Sequence, residues 1–144
     1  CGAKLEPVLN SIETMKKMGV WLEVTTLLIP GLNDSREELK NLAKFLAELD
    51  PNIPWHISRF HPTYRLTDVH PTPAQSIHLA KEIGYEMGLK YVYTGNLPGD
   101  KGEKTFCHGC GELLIDRTGF FVGENRIDGN QCPKCDAEIP GVWE

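Results

Sequence analysis

The chain has 144 residues, 40% hydrophobic and 24% charged, with a formal net charge of −5. That length holds one ordinary domain, or a small domain with an appended module. The acidic balance argues against nucleic acid as a partner, and no apolar run is long enough to cross a membrane.

The opening residues, CGAKLEP, have neither the basic start nor the apolar run of a signal peptide, so the expected setting is the cytoplasm. The sequence starts at Cys1 without an initiator Met and enters a helical pattern within a few residues. It reads as a piece of a longer protein, with Cys1 a free thiol.

Leu5, Val8, Leu9, Ile12, Met15 and Met18 recur at helical spacing. Pro7 suits the first turn of that helix and Gly19 its stop. VWLEVTTLLI (20–29) reads as a strand rich in β-branched residues, broken by PGLND. Leu22, Val24, Thr26 and Leu28 suit packing under helices. Glu23, Thr25 and Leu27 alternate with them and call for a solvated or polar face. Ser35 and Glu38 form a capping box that opens a helix over Arg36–Leu49. WHISRF (55–60) is a second strand. Thr72, Pro73 and Gln75 signal another helix start, with the helix reaching about Met87 and Gly88 at its end. KYVYT (90–94) is a third strand, and the Gly-rich, charged segment 95–104 reads as a linker.

The first hundred residues therefore alternate α-β-α-β-α-β, which predicts parallel strands with right-handed crossovers. Three strands leave an unfinished α/β sheet with an open edge, as half of a barrel or open sheet would be. Two units are expected: 1–98, half of an α/β barrel, and 99–144, a four-cysteine ribbon. Ligands of parallel sheets bind beyond the carboxyl ends of the strands. Here those ends offer Asn33, Asp34, His61, Tyr64, Arg65 and Asn96. His61 stands out because it directly follows a strand. His56, His70 and His78 are expected to be structural or solvated.

Cys107, Cys110, Cys132 and Cys135 form two C-x2-C pairs separated by twenty-one residues, the pattern of a metal site. Two residues between thiols let both sulfurs of a pair reach one ion, and two such knuckles complete a tetrahedron. Gly111, after Cys110, is free to take positive φ; Asp136, at the matching place after Cys135, tolerates it less well. LLID and GFFVG read as short strands around a turn. So small a module needs its metal to fold. Zinc is expected, with a rubredoxin-like iron site next, and disulfides are the alternative. Four thiolates close the site to substrate. His108, inside the first knuckle, is surplus to the ligands and is expected to be exposed. The segment 105–144 carries three basic and seven acidic residues, unlike zinc modules that bind nucleic acid through basic faces.

Taken together in this order, WLEVTTLLIPGLNDS, PWHISRFHPTYRLTD, YVYTGNLPG and CHGCGELLI…CPKC resemble the carboxyl-terminal half of radical S-adenosylmethionine (SAM) proteins. They are similar to pyruvate formate-lyase activating enzymes, and most closely to the radical SAM group of the AmmeMemoRadiSam system. The resemblance covers nearly the whole chain. It implies a partial (β/α)6 barrel and a [4Fe-4S] cluster that cleaves SAM to a 5′-deoxyadenosyl radical for hydrogen abstraction. The family's C-x3-C-x2-C cluster motif and its Gly-Gly-Glu-Pro type segment are absent from this chain, and both would belong to the preceding half. The resemblance places His61 near the adenosine and Thr25 and Leu27 on the strand face toward SAM. The activating enzymes carry Arg where Thr25 stands. The four ribbon cysteines match the metal ribbon appended in the AmmeMemoRadiSam group.

The expected function is therefore that of a carboxyl-terminal piece of a radical SAM enzyme, inactive alone. Its partners would be the missing amino-terminal half of the barrel and a protein substrate. Two alternatives from other classes are a non-catalytic zinc-ribbon adaptor and a rubredoxin-like electron carrier.

Overall fold

The computed structural model describes residues 2–143. Cys1, with the expectation attached to it, and Glu144 lie outside them. The elements run α1 (Leu5–Lys17), β1 (Val24–Leu28), α2 (Arg36–Leu49), β2 (Trp55–Arg59), α3 (Ala74–Glu86) and β3 (Val92–Gly95), then β4 (Thr105–Phe106), β5 (Leu113–Thr118) and β6 (Phe121–Asn125). None of these helices is long and apolar enough to cross a membrane.

β1, β2 and β3 form a parallel sheet in that order. α2 and α3 cover one face of it, packing Leu39, Ala43, Leu46, Ile77, Ala80 and Ile83 over Leu28, Trp55, Ile57 and Val92. The side chains of a strand alternate between faces. β1 thus turns Leu28 inward and leaves Thr25 and Leu27 exposed on the opposite face, as the sequence pattern predicts. Gly84 of α3 allows close approach to the sheet: a Cβ there would lie 2.8 Å from Val92 Cγ2 and 3.1 Å from Trp55 Cε3.

β1 is shorter than predicted. Its first ladder bond runs from Val24 N–H to Pro54 C=O at 2.9 Å, and β2 begins only at Trp55. Residues 20–23 have no partner strand. The Ser35 hydroxyl accepts from Glu38 N–H at 3.2 Å and donates to the Glu38 carboxylate at 2.6 Å, so the cap of α2 closes on side chains. Thr72 does not cap α3, whose N-cap is Pro73 without a side-chain bond. Buried completely, the Thr72 hydroxyl donates to Leu28 C=O at 2.5 Å and accepts from Phe60 N–H at 3.1 Å. It stitches the ends of β1 and β2 together.

The predicted linker is ordered. Asp100 caps a short 3₁₀ turn, Lys101–Glu103, by accepting from Gly102 N–H at 2.9 Å. It also accepts from the Thr94 hydroxyl and faces His78 Nε2 at 3.0 Å. Gly102 is buried, and a Cβ on it would sit 2.0 Å from Thr94 Oγ1. β4, β5 and β6 then form an antiparallel sheet. Gly119, at φ 58, opens the two-residue turn between β5 and β6, where hairpin twist demands positive φ.

α1 stands apart. Ile12 is its one buried residue, whereas Leu5, Val8, Met15 and Met18 are exposed. Lys16 ties it to the end of α2 through a 2.5 Å ion pair with Asp50.

Candidate metal centre and the bare sheet face

The two cysteine pairs fold into matching knuckles. Gly111 N–H donates to Cys107 C=O at 2.9 Å, and Asp136 N–H to Cys132 C=O at 3.0 Å. Cys107 N–H reaches Glu112 C=O at 2.8 Å, and Cys132 N–H reaches Ala137 C=O at 2.9 Å. Gly111 takes φ 73 and Asp136 φ 57. The left-handed turn is thus required in both knuckles, and the second achieves it with an aspartate, one of the few non-glycine residues that visit this region.

This brings the four Sγ atoms within 4.8 Å of one another. Cys107 Sγ lies 3.6 Å from Cys135 Sγ, and Cys110 Sγ lies 3.7 Å from Cys132 Sγ. A disulfide needs about 2.05 Å, and all four cysteines are free. Thiolate bonds of about 2.3 Å to one tetrahedral ion would space the sulfurs roughly 3.8 Å apart. The donor set and its spacing fit a four-coordinate metal site. Burial opposes ionisation of Cys107, but the Cys110 and Gly109 amides together with hydrogen bonds from Cys132 and Cys135 outweigh it, and the thiol falls to about 7. At Cys135 the Ala137 amide favours the thiolate, yet neighbouring sulfurs and burial push the thiol up to about 12. A bound cation would resolve this competition by favouring all four thiolates.

The ribbon is not a free appendage. Tyr91, directly before β3, shares a core with Cys107, Leu114, Ile115, Cys132 and Ile139. Its hydroxyl meets His108 Nδ1 at 2.8 Å, and the Tyr93 hydroxyl meets Thr105 Oγ1 at 3.0 Å. Lys104 pairs with Asp116, and Gly119 N–H donates to Glu103 at 2.7 Å. His108 is exposed overall, as expected from the sequence, but its ring is engaged by Tyr91.

The face of the parallel sheet away from α2 and α3 is built in rungs. Thr25, His56 and Tyr93 stand side by side, then Leu27, Ser58 and Gly95. Leu27 is 45% exposed there. His56 Nε2 lies 2.8 Å from Glu23 Oε2, and its ring stacks on Tyr93 at 5.0 Å and 21°. Trp21 Nε1–H donates to the same carboxylate group at 3.2 Å. Burial raises the pKa of Tyr93, while the Thr105 hydroxyl and the Arg117 charge act in the opposite direction. This Glu23–His56–Tyr93 cluster was not singled out from sequence. The signal available was two polar residues of matching strand parity in consecutive strands.

At the strand ends the rim residues divide. Asn33 accepts from Ile29 N–H at 2.7 Å and donates to Leu27 C=O at 3.0 Å, and Asp34 accepts from Gly31 N–H at 2.8 Å. Asn96, at φ 57, donates to Arg59 C=O at 2.9 Å. These three serve the turn backbone. His61 is exposed after β2, as are Tyr64 and Arg65, which lie 5.3 Å apart in a cation–π contact. His61 is therefore separated from Thr25 and Leu27 along the sheet: they lie on its open face, and it stands beyond the end of β2.

No protein-family model matches the chain. Over 142 residues it is 50% identical to a protein of Methanocaldococcus jannaschii described as uncharacterized, an alignment covering 96% of this chain and 43% of that protein. The chain thus spans less than half the length of the curated relative it matches.

Proposed function

We propose that the chain is the carboxyl-terminal half of a partial (β/α)6 barrel of a radical SAM enzyme, activating-enzyme-like, closed at its end by a structural zinc ribbon. The observation that carries this reading is the unfinished sheet. Helices cover one face, the ribbon packs against Tyr93 at the β3 side of the other, that second face is left exposed at Thr25 and Leu27 of β1, and β1 has a partner on one side only. α1 leaves the apolar residues Leu5, Val8 and Met15 exposed. A soluble domain rarely leaves such surface uncovered, and the preceding half of a barrel would cover both. The greater length of the relative agrees with this.

In this reading Cys107, Cys110, Cys132 and Cys135 hold zinc, which stabilises the ribbon and takes no part in the reaction. The open face contributes one wall of the SAM pocket through Thr25 and Leu27, with His61 over its end. The cluster does not fit these residues: among those described, every cysteine belongs to the ribbon. No step of SAM cleavage is assigned to them, and the chain alone is inactive.

The test uses the longer protein with its preceding half, reconstituted without oxygen with iron and sulfide, then given reductant and SAM. Formation of 5′-deoxyadenosine is the expected result. A cluster-loaded protein that forms none overturns the reading, as does cleavage by the 144-residue chain alone.

A second reading, a non-catalytic zinc-ribbon binding module, is favoured by the β5–β6 tip, where Phe120 and Phe121 are exposed. It predicts a monomeric, cooperatively folded chain in isolation, whereas the half barrel predicts self-association through β1 and α1.

A further inference from the structure

We propose that the cleft between the open sheet face and the ribbon binds an anionic group, a carboxylate or a phosphate, held by Arg117 of the ribbon and His56 of the sheet. The cleft has a volume of about 720 Å³ and is lined by His56, Ser58, Gly95, Glu103, Arg117 and Phe120 among others. His56 and Arg117 also line an adjoining cleft of about 200 Å³ that contains Glu23 and Trp21. Both side chains therefore stand where the two spaces meet.

Arg117 is the exception among the three basic residues of 105–144. Arg126 pairs with Glu124 at 2.7 Å, and Lys134 with Glu112 at 3.0 Å. Arg117 has no hydrogen bond or ion pair among the described residues, although the chain carries net charge −5. The acids nearby are committed elsewhere: Asp116 to Lys104, Glu103 to the Gly119 amide, and Glu23 to His56 and Trp21. No buried side-chain nitrogen or oxygen is left unpaired among the described residues. The half-buried guanidinium accordingly opens to the cleft. Its planar fork of donors matches a carboxylate or phosphate in two parallel hydrogen bonds.

His56 supplies the second contact. Glu23 accepts from Nε2–H and Tyr93 fixes the ring plane, while Nδ1 has no partner among the described residues and donates to the anion when the ring carries its second proton. Ser58 and Gly95 on the next rung are small and leave room beside it. Phe120, fully exposed at the mouth, offers an apolar surface to the remainder of the ligand. The ribbon is then one wall of the ligand site, and its metal acts on binding by holding β5 in place. None of this depends on radical chemistry at the neighbouring face.

The experiment titrates the metal-loaded 144-residue chain with succinate and, separately, inorganic phosphate at constant ionic strength. It follows the Arg117 Nε–H and His56 ring signals by NMR. Saturable shifts of both signals are expected with at least one probe, and the tighter probe identifies the anion class. Arg117→Gln should weaken binding roughly tenfold or more, with metal content and signal dispersion unchanged. Arg117→Lys, which keeps the charge but loses the fork, should weaken it less and serves if the glutamine variant fails to fold. The proposal is overturned if neither probe saturates, or if the folded variants titrate like the parent.

Discussion

The hydroxyl of Tyr91 lies 2.8 Å from Nδ1 of His108, joining the first residue after the α3–β3 turn to the interior of the first cysteine knuckle. Tyr91 is buried, and burial raises its pKa well above the ordinary tyrosine range. Tyr91→Phe keeps the ring in the shared core and removes one hydrogen bond, for an expected loss of about 1 kcal/mol. Tyr91→Ala also removes the aromatic packing and should cost about 3–5 kcal/mol. Denaturant unfolding of the metal-loaded chain measures both. Equal losses would mean that the ring contributes nothing beyond its hydroxyl.

Thr72→Val is expected to destabilise by about 1–3 kcal/mol, although the two side chains are nearly isosteric. The substitution strands Leu28 C=O and Phe60 N–H, both of which Thr72 serves with one hydroxyl, and unpaired buried backbone groups carry a full desolvation cost. Thr72→Ser keeps the hydroxyl and should recover most of the loss in chemical denaturation. No difference between valine and serine would remove the stitching role.

Much of this arrangement was legible in the sequence because it depends on local spacing. The start of α2 follows from the Ser35–Glu38 capping box, and the knuckles follow from C-x2-C. The outward set Glu23, Thr25 and Leu27 follows from strand alternation. The features that were not legible are long-range. Thr72 looks like a helix cap until its hydroxyl is seen reaching Leu28, forty-four residues away. Segment 95–104 reads as a linker until Asp100 is seen joining Thr94, His78 and Gly102. Glu23, directly before β1, meets His56 only because the parallel register sets β1 beside β2.

Asp100 gives the chain an acid-sensitive joint. Desolvation alone would raise its pKa, but hydrogen bonds from Thr94, His78 and Gly102 outweigh it, and the carboxyl sits below its ordinary value. A carboxylate with a lower pKa folded than unfolded stabilises the fold above the unfolded value. That contribution is lost as pH falls through the folded one. Asp100→Asn should therefore be less stable than the parent at pH 6, and the difference should shrink as pH drops below about 4. Denaturation midpoints of the two proteins across this range test it. A gap that stays constant with pH would assign the Asp100 effect to shape and not to charge.

Removing the metal should undo the ribbon and leave the three-stranded sheet. Cys107 and Cys132 belong to the core that contains Tyr91, Leu114 and Ile139, whereas Trp55, Leu28 and the α2–α3 residues form a separate core. A structural four-thiolate site contributes on the order of 10 kcal/mol, more than so small an antiparallel sheet can replace by burial. Chelation, or Cys132→Ser, is expected to abolish the dispersed NMR signals of residues 105–139 and perturb Tyr91 and Tyr93, while Trp55 and Ile57 keep their native shifts. His108→Ala should retain one metal per chain, since its ring serves Tyr91 and not the ion. The parent should contain zinc and be colourless; thiolate-to-iron absorbance would assign iron instead. If chelation left residues 105–139 folded, the four thiols would not be what holds the ribbon together. If it unfolded Trp55 and Ile57 as well, the two cores would be a single cooperative unit.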